Sequence, residues 1–131
     1  MSDRHGAGMT VRREVLGDAH VDRAEAQKTD FDRPFQDLIT DAAWGTVWAS
    51  DGISRRERSM LTLALLAATG NFDEIPMHVR ATERTGASRT DIIEAFLHVA
   101  VYAGVPRANH AIRLAKEVFA DLDAAPGKDA T

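Results

Sequence analysis

Only helix signals punctuate this chain, and they narrow its fold before composition is considered. Ser54 stands three residues ahead of Glu57, a capping box in which each side chain satisfies the other's free backbone N–H. The helix it opens runs to about Thr69, nearly all apolar beyond Met60, and Gly70 ends it. Phe72 to Arg84 forms the next helix, with Pro76 in or near its first turn, and Gly86 closes it. Ser88 with Asp91 repeats the cap signal for a helix to about Tyr102, and Pro106 begins a last helix to about Leu122. Upstream, Val11 to Gln27 is a charged amphipathic helix interrupted by Gly17. Asp32 to Ala49 follows, with Pro34 near its first turn and Phe35, Leu38, Ile39, Ala42 and Ala43 at helical spacing. No stretch alternates apolar and polar residues as a strand does. The expectation is an all-α, compact bundle or array of about six helices in one domain over residues 11–122. Loose ends are expected at residues 1–10, with Gly6 and Gly8, and at 123–131, with Pro126 and Gly127.

Composition excludes several functions. The 131 residues suit one domain, and 44% hydrophobic with 27% charged residues is ordinary for a chain that folds. A net charge of -4 without a basic run gives no general attraction to nucleic acid. The longest apolar run, Met60 to Ala68, is far shorter than the roughly 20 residues of a spanning helix, so no membrane contact is expected and the location reads as cytoplasmic. The chain has no cysteine, which removes disulfides, thiolate zinc sites, thiol nucleophiles and Cys-x-x-Cys redox chemistry together. No His-Glu-x-x-His pattern, glycine-rich phosphate loop or Gly-x-Ser-x-Gly elbow is present, and no metal site is expected.

Two clusters carry possible chemistry. Asp91 to Tyr102 is apolar around most of its circumference and reads as a central core helix, yet Glu94, His98 and Tyr102 interrupt it at intervals of four. Either they line a polar pocket, or Glu94 and His98 pair at a subunit surface while Tyr102 tucks its ring inward. In the preceding helix Glu74, His78 and Thr82 share one face, with Arg80 and Arg84 on others; a lone helical histidine such as His78 is structural or catalytic. Trp44 and Trp48, at i and i+4, either wall an aromatic or lactone pocket or pack in the core. Arg12 and Arg13 adjoin at the start of the first helix, where a solvated role is the ordinary reading.

Four stretches in order resemble the carboxymuconolactone decarboxylase family: Arg12-Arg13-Glu14-Val15-Leu16-Gly17-Asp18-Ala19-His20-Val21, Ala43-Trp44-Gly45-Thr46-Val47-Trp48, Met77-His78-Val79-Arg80-Ala81, and Val101-Tyr102-Ala103-Gly104-Val105-Pro106 followed by Asn109. The likeness spans about residues 11–121. It implies an alkylhydroperoxidase-like fold. Redox members of that fold carry Cys-x-x-Cys with a histidine four residues on; counted back from His78, those positions hold Asn71 and Glu74. Thiol redox chemistry is therefore excluded while the histidine remains. The acidic residue of the redox members falls near Ser59, with Glu57 two residues away.

The resemblance further implies cofactor-independent decarboxylation of 4-carboxymuconolactone to 3-oxoadipate enol-lactone, in the protocatechuate branch of the β-ketoadipate pathway. Such a reaction needs cations for two carboxylates, a donor to the lactone oxygen and an acid for the final proton. Arg80, with Arg12 or Arg13, suits the first need, and His78 suits the proton donor. Glu74 is placed to orient His78, and Glu94, His98, Tyr102, Trp44 and Trp48 to line the substrate site. His98 departs from the glutamine common in relatives. A homo-oligomer, a hexamer, is implied, in which this many apolar helix faces would be buried between copies. Other readings are a paralogue acting on another lactone or carbonyl acid, or a non-catalytic oligomeric ligand-binding protein.

Overall fold

The structure is a computed structural model that describes residues 2–125. Among the described residues there is no strand. Seven α-helices follow in order: α1 Ser2–Leu16, α2 Asp18–Gln27, α3 Arg33–Ile39, α4 Arg55–Thr69, α5 Ile75–Thr85, α6 Arg89–Tyr102 and α7 Val105–Ala124. A π-helical segment, Thr40–Trp48, continues α3, and a 3₁₀ turn, Phe72–Glu74, precedes α5. The all-α expectation holds. The chain divides into two compact units, Met1–Arg58 and Ser59–Thr131. The loose end expected from residue 126 onward lies outside the described residues.

In the first unit, the amino-terminal reading needs correction. Residues 2–10 are helical, and the helix expected over 11–27 is two helices parted at Gly17, whose φ of 89° no side-chain-bearing residue adopts easily. Gly8, read as a sign of looseness, lies buried where α1 packs on the π segment. A Cβ there would collide with the Thr40 carbonyl and stand 2.9 Å from the Gly45 nitrogen; one on Gly45 would stand 2.6 Å from the Arg4 carbonyl. Two glycines thus bring two backbones together.

The helix expected over 32–49 widens at residue 40, and the Asp41 carbonyl finds side-chain partners. Thr46 Oγ1 donates to the Asp41 carbonyl at 3.0 Å, and Arg4 Nε donates to the same oxygen at 3.0 Å. The His5 ring nitrogen Nδ1 lies 2.9 Å from Asp41 Oδ1. These contacts stabilise a π segment much longer than the single turn usually seen. Val11, Val15, Leu16, Val21, Trp44 and Trp48 are the unit's buried apolar residues, whereas Phe35 and Leu38 are exposed.

The caps read from sequence form as expected. Ser54 N donates to Glu57 Oε1 at 2.8 Å and Glu57 N to Ser54 Oγ at 3.1 Å; Ser88 and Asp91 exchange the same two bonds at 2.8 and 3.0 Å. In the second unit, Leu63 and Ala67 of α4, Ile75 and Val79 of α5, Ile92, Phe96 and Val99 of α6, and Ala108, Ala111, Ala115 and Val118 of α7 make one core. The alanine row on α7 lets α5 and α6 pack close to it.

The view of α6 as a central helix is overturned. Ile92, Ala95, Phe96 and Val99 enter the core, but Ile93, Leu97 and Val101 are exposed on the other side. An all-round apolar helix is read as buried because burial of apolar surface stabilises, yet this one leaves half of that surface open.

Candidate active site

α5 begins with Pro76 in its first turn, where the missing N–H costs nothing, and ends at Gly86, whose N–H bonds the Thr82 carbonyl at 3.0 Å. Its buried face carries Ile75, His78, Val79 and Thr82, so the imidazole sits in a largely apolar wall and is only 8% exposed. Thr82 Oγ1 donates to the Val79 carbonyl at 2.6 Å, which removes it as a hydrogen-bond donor to a neighbour. Burial of this kind makes a histidine's charge sensitive to whatever anion or dipole approaches it.

The other α5 candidates separate from His78. Arg80 lies on the exposed face, its Nη2 donating to Asp121 Oδ2 of α7 at 3.1 Å. Glu74 caps the helix and is exposed, although sequence spacing put it on the histidine's face. The 3₁₀ turn before Ile75 changes the register, so the four-residue count from Glu74 does not run along a regular α-helix. Glu74 instead lines a cavity of about 270 Å³ with Gly70, Asn71, Phe72, Asp73 and His110. The His110 ring lies 4.0 Å from that of Phe72, centroid to centroid. Sequence reasoning passed over His110; its one signal was a place one turn into the helix that Pro106 begins.

Glu94, His98 and Tyr102 do form a stripe, but on the surface of the second unit. With Leu97 and Val101 they line a depression of about 280 Å³, and the His98 and Tyr102 rings stack at 6.1 Å and 14°. Tyr102 is 84% exposed, so its ring is not tucked inward. Glu94 and His98 are exposed as well, so the three polar side chains line an open depression.

In the first unit, Trp44 and Trp48 are both buried, with ring centroids 5.3 Å apart and planes tilted by 34°. Packing accounts for most of their surface, and Trp48 also borders a pocket of about 550 Å³ formed with residues 49–55 and Glu57.

Arg12 and Arg13, indistinguishable in sequence, are opposites in structure. Arg13 is held by Asp18 Oδ1 at 3.0 Å and Asp22 Oδ1 at 2.9 Å, and these two hydrogen-bonded carboxylates raise its pKa. Arg12 points inward with its side chain 8% exposed, and burial pushes its pKa down, with Glu25 countering part of the effect. Its Nε and Nη1 have no hydrogen-bond partner among the described residues. A guanidinium stays protonated even so, and buried N–H groups without acceptors are costly; a carboxylate is the acceptor that suits them best.

Among the described residues no group of three or more His, Asp or Glu side chains is arranged to hold a metal ion. No helix among them is long and apolar enough to cross a membrane.

Residues 33–117 match the Carboxymuconolactone decarboxylase family, from α3 through most of α7. The chain is 44% identical over 125 residues to the 4-carboxymuconolactone decarboxylase of Acinetobacter baylyi, covering 95% of this chain and 93% of that one. It is 40% identical over 115 residues to nitrosuccinic acid decarboxylase of Metarhizium robertsii, covering 88% and 80%. A 4-carboxymuconolactone decarboxylase from Pseudomonas putida shares 57% identity over 42 residues, 32% of this chain and 88% of that one.

Proposed function

The chain belongs to the carboxymuconolactone decarboxylase family, and we propose that it decarboxylates 4-carboxymuconolactone to 3-oxoadipate enol-lactone, in the breakdown of protocatechuate. The observation that carries this reading is 44% identity, over nearly the full length of both chains, to a protein named for that reaction. It is a carboxy-lyase reaction in which the substrate supplies its own electron sink. The bond from the ring carbon to the departing carboxylate breaks, its electron pair moves through the ring double bond, and charge collects on the lactone oxygen. A proton then adds to the carbon next to the lactone carbonyl, giving the enol-lactone and carbon dioxide. No cofactor is needed for those steps.

The residues divide the work as follows in this proposal. Arg12 takes a substrate carboxylate, supported by its buried donors that lack acceptors among the described residues. His78 delivers the proton or bonds the lactone oxygen as charge develops, a role typically worth about 3 kcal/mol of transition-state stabilisation. Arg80, Glu74, Arg13, Glu94, His98 and Tyr102 lie nearer the surface and are assigned to substrate binding or orientation in an assembly of several copies. That assembly is a hexamer in this proposal, supported by the exposure of Leu97, Val101, Tyr102 and Val105. Trp44 and Trp48 shape the first unit. The enzyme works in the cytoplasm, where the metabolism of such acids proceeds.

A second substrate is favoured by the likeness to nitrosuccinic acid decarboxylase. Nitrosuccinate and 4-carboxymuconolactone share one skeleton: each is a succinate with an electron-accepting group on the carbon that loses carbon dioxide. In one the acceptor is a nitro group and in the other an unsaturated lactone; in both an oxygen receives the charge, and the carboxymethyl arm stays behind. An enzyme that grips that arm by Arg12 and protonates a carbanion equivalent serves either compound, with the walls of the pocket setting the preference.

The deciding experiment mixes purified protein with freshly generated 4-carboxymuconolactone and follows carbon dioxide and enol-lactone together, with nitrosuccinate in parallel. Conversion of the lactone well above the uncatalysed background, without added metal or cofactor, is expected. Acceleration of nitrosuccinate alone would move the assignment to that compound, and acceleration of neither would overturn it.

A further inference from the structure

Glu25, on α2, stands out as a charged group with a divided task. Its Oε1 accepts from Lys28 Nζ at 3.0 Å, while its Oε2 lies 3.8 Å from Arg12 Nη1. The first distance is a hydrogen bond and the second is too long for one, so Glu25 attracts the Arg12 guanidinium without occupying an N–H. We infer that Glu25 is a positioning residue for the decarboxylation, holding the buried Arg12 guanidinium in place while leaving its Nε and Nη1 donors for a substrate carboxylate.

The local fold explains how the pair arises. Gly17 breaks the helix, so that α2 packs back on α1 and brings Glu25 toward Arg12 across 13 positions of chain. Lys28 caps the end of α2, its backbone N–H bonded to the Glu25 carbonyl at 3.2 Å. Its side chain is 16% exposed and that of Glu25 is 30% exposed, so both are sheltered more than a surface pair. A sheltered ion pair acts mainly through geometry, because desolvation cancels much of the Coulomb gain. Here geometry is the point: Lys28 draws part of the carboxylate's charge away and keeps it from closing on Arg12. Were Glu25 to bond Arg12 directly, it would occupy a donor that a carboxylate ligand requires. Were it absent, the guanidinium would lose the one carboxylate that lies beside it among the described residues.

This inference rests on the reading of Arg12 as a carboxylate-binding residue of a decarboxylase, and the test separates the two. Steady-state kinetics with 4-carboxymuconolactone are compared for wild type, Glu25→Gln, Glu25→Asp, Arg12→Lys and the double variant Glu25→Gln/Arg12→Lys, with thermal melts of each. Glu25→Gln is expected to raise KM about tenfold with little change in kcat, the size of effect that coupled neighbours show. Glu25→Asp restores part of the loss, and the double variant is no worse than Arg12→Lys alone, because Glu25 acts through Arg12. An unchanged KM in Glu25→Gln, or full additivity in the double variant, overturns the inference. So does a fall in melting temperature with unaltered KM, which assigns Glu25 to stability. If Glu25→Gln fails to fold, the Glu25→Asp and Lys28→Met variants carry the same KM comparison. A wild type that does not turn the lactone over sinks the functional reading instead, and succinate binding by calorimetry, weakened in Glu25→Gln or not, then decides the Arg12 and Glu25 pairing by itself.

Discussion

His78 and Arg80, two positions apart on α5, face opposite ways: the imidazole is 8% exposed among core residues, whereas the guanidinium reaches outward to Asp121 at 3.1 Å. A rotation of 100° per residue makes this inevitable on a regular helix. In the proposed mechanism the two approach substrate from different directions, and their removal is expected to leave different kinetic signatures.

Replacing His78 by Ala is expected to lower kcat by two to three orders of magnitude, about the worth of a positioned proton donor or oxyanion partner. Circular dichroism should show the helical fold retained. Near-normal turnover would take His78 out of the mechanism. Arg80→Lys, in contrast, keeps the charge but not the fork, and is expected to raise KM with kcat almost unchanged. An unaltered KM would leave Arg80 with Asp121, an exposed pair worth at most about 1 kcal/mol.

The helix ends from residue 54 onward are legible because their signals are local. Ser54 with Glu57, Ser88 with Asp91, Gly86 and Pro106 each act within one turn, and each appears where sequence spacing put it. What escaped reading depends on neighbours distant in sequence. Gly8 looked like a loose end because glycine weakens an isolated helix, and only the Thr40 carbonyl across the interface explains it. Arg12 and Arg13 look identical until α2 folds back and supplies acids to both. The α6 stripe is visible as a pattern, but its side of the helix stays open in sequence, since an exposed apolar residue and one facing the core read alike.

The Gly8 contact yields a contrast between two residues of one helix. Gly8→Ala forces a methyl group against backbone atoms of the π segment and should destabilise by about 3 kcal/mol, the upper range for overpacking. At Gly6 a Cβ meets nothing within 4 Å, and Gly6→Ala should stabilise by roughly 0.5–1 kcal/mol through helix propensity alone. Urea unfolding of both variants measures this. Equal effects would mean that α1 does not approach residue 45 so closely.

Acid sensitivity follows from the Ser54 cap. Hydrogen bonds from the Ser54 backbone and hydroxyl hold the Glu57 carboxyl below its ordinary value of 4.5. The unfolded chain then binds more protons than the folded one just below that value, so stability rises with pH there. The contribution is complete above about pH 4.5 and disappears as pH falls through the lower folded value. Glu57→Gln should flatten this part of a melting-temperature profile between pH 3 and 6; a profile parallel to wild type would show that the cap adds no pH-dependent stability.

The exposed side of α6 offers a test of the proposed assembly. Val101 is 77% exposed and neighbours Leu97, His98 and Tyr102 around one depression, so a charge at position 101 disturbs no packing within the unit. Val101→Glu should leave folding stability within about 0.5 kcal/mol in the separated subunit, as surface substitutions do, while breaking any contact that buries this face in another copy. Phe96→Ala, five residues earlier and fully buried, makes the opposite case, with a loss of about 3–5 kcal/mol and no selective effect on assembly. Light scattering after size exclusion separates the two outcomes. If the proposed hexamer forms and survives Val101→Glu, the α6 face is not in its interface; if it falls apart with activity lost, the Glu94, His98 and Tyr102 stripe belongs to a site shared between copies, and if it falls apart still active, each subunit's site is self-sufficient.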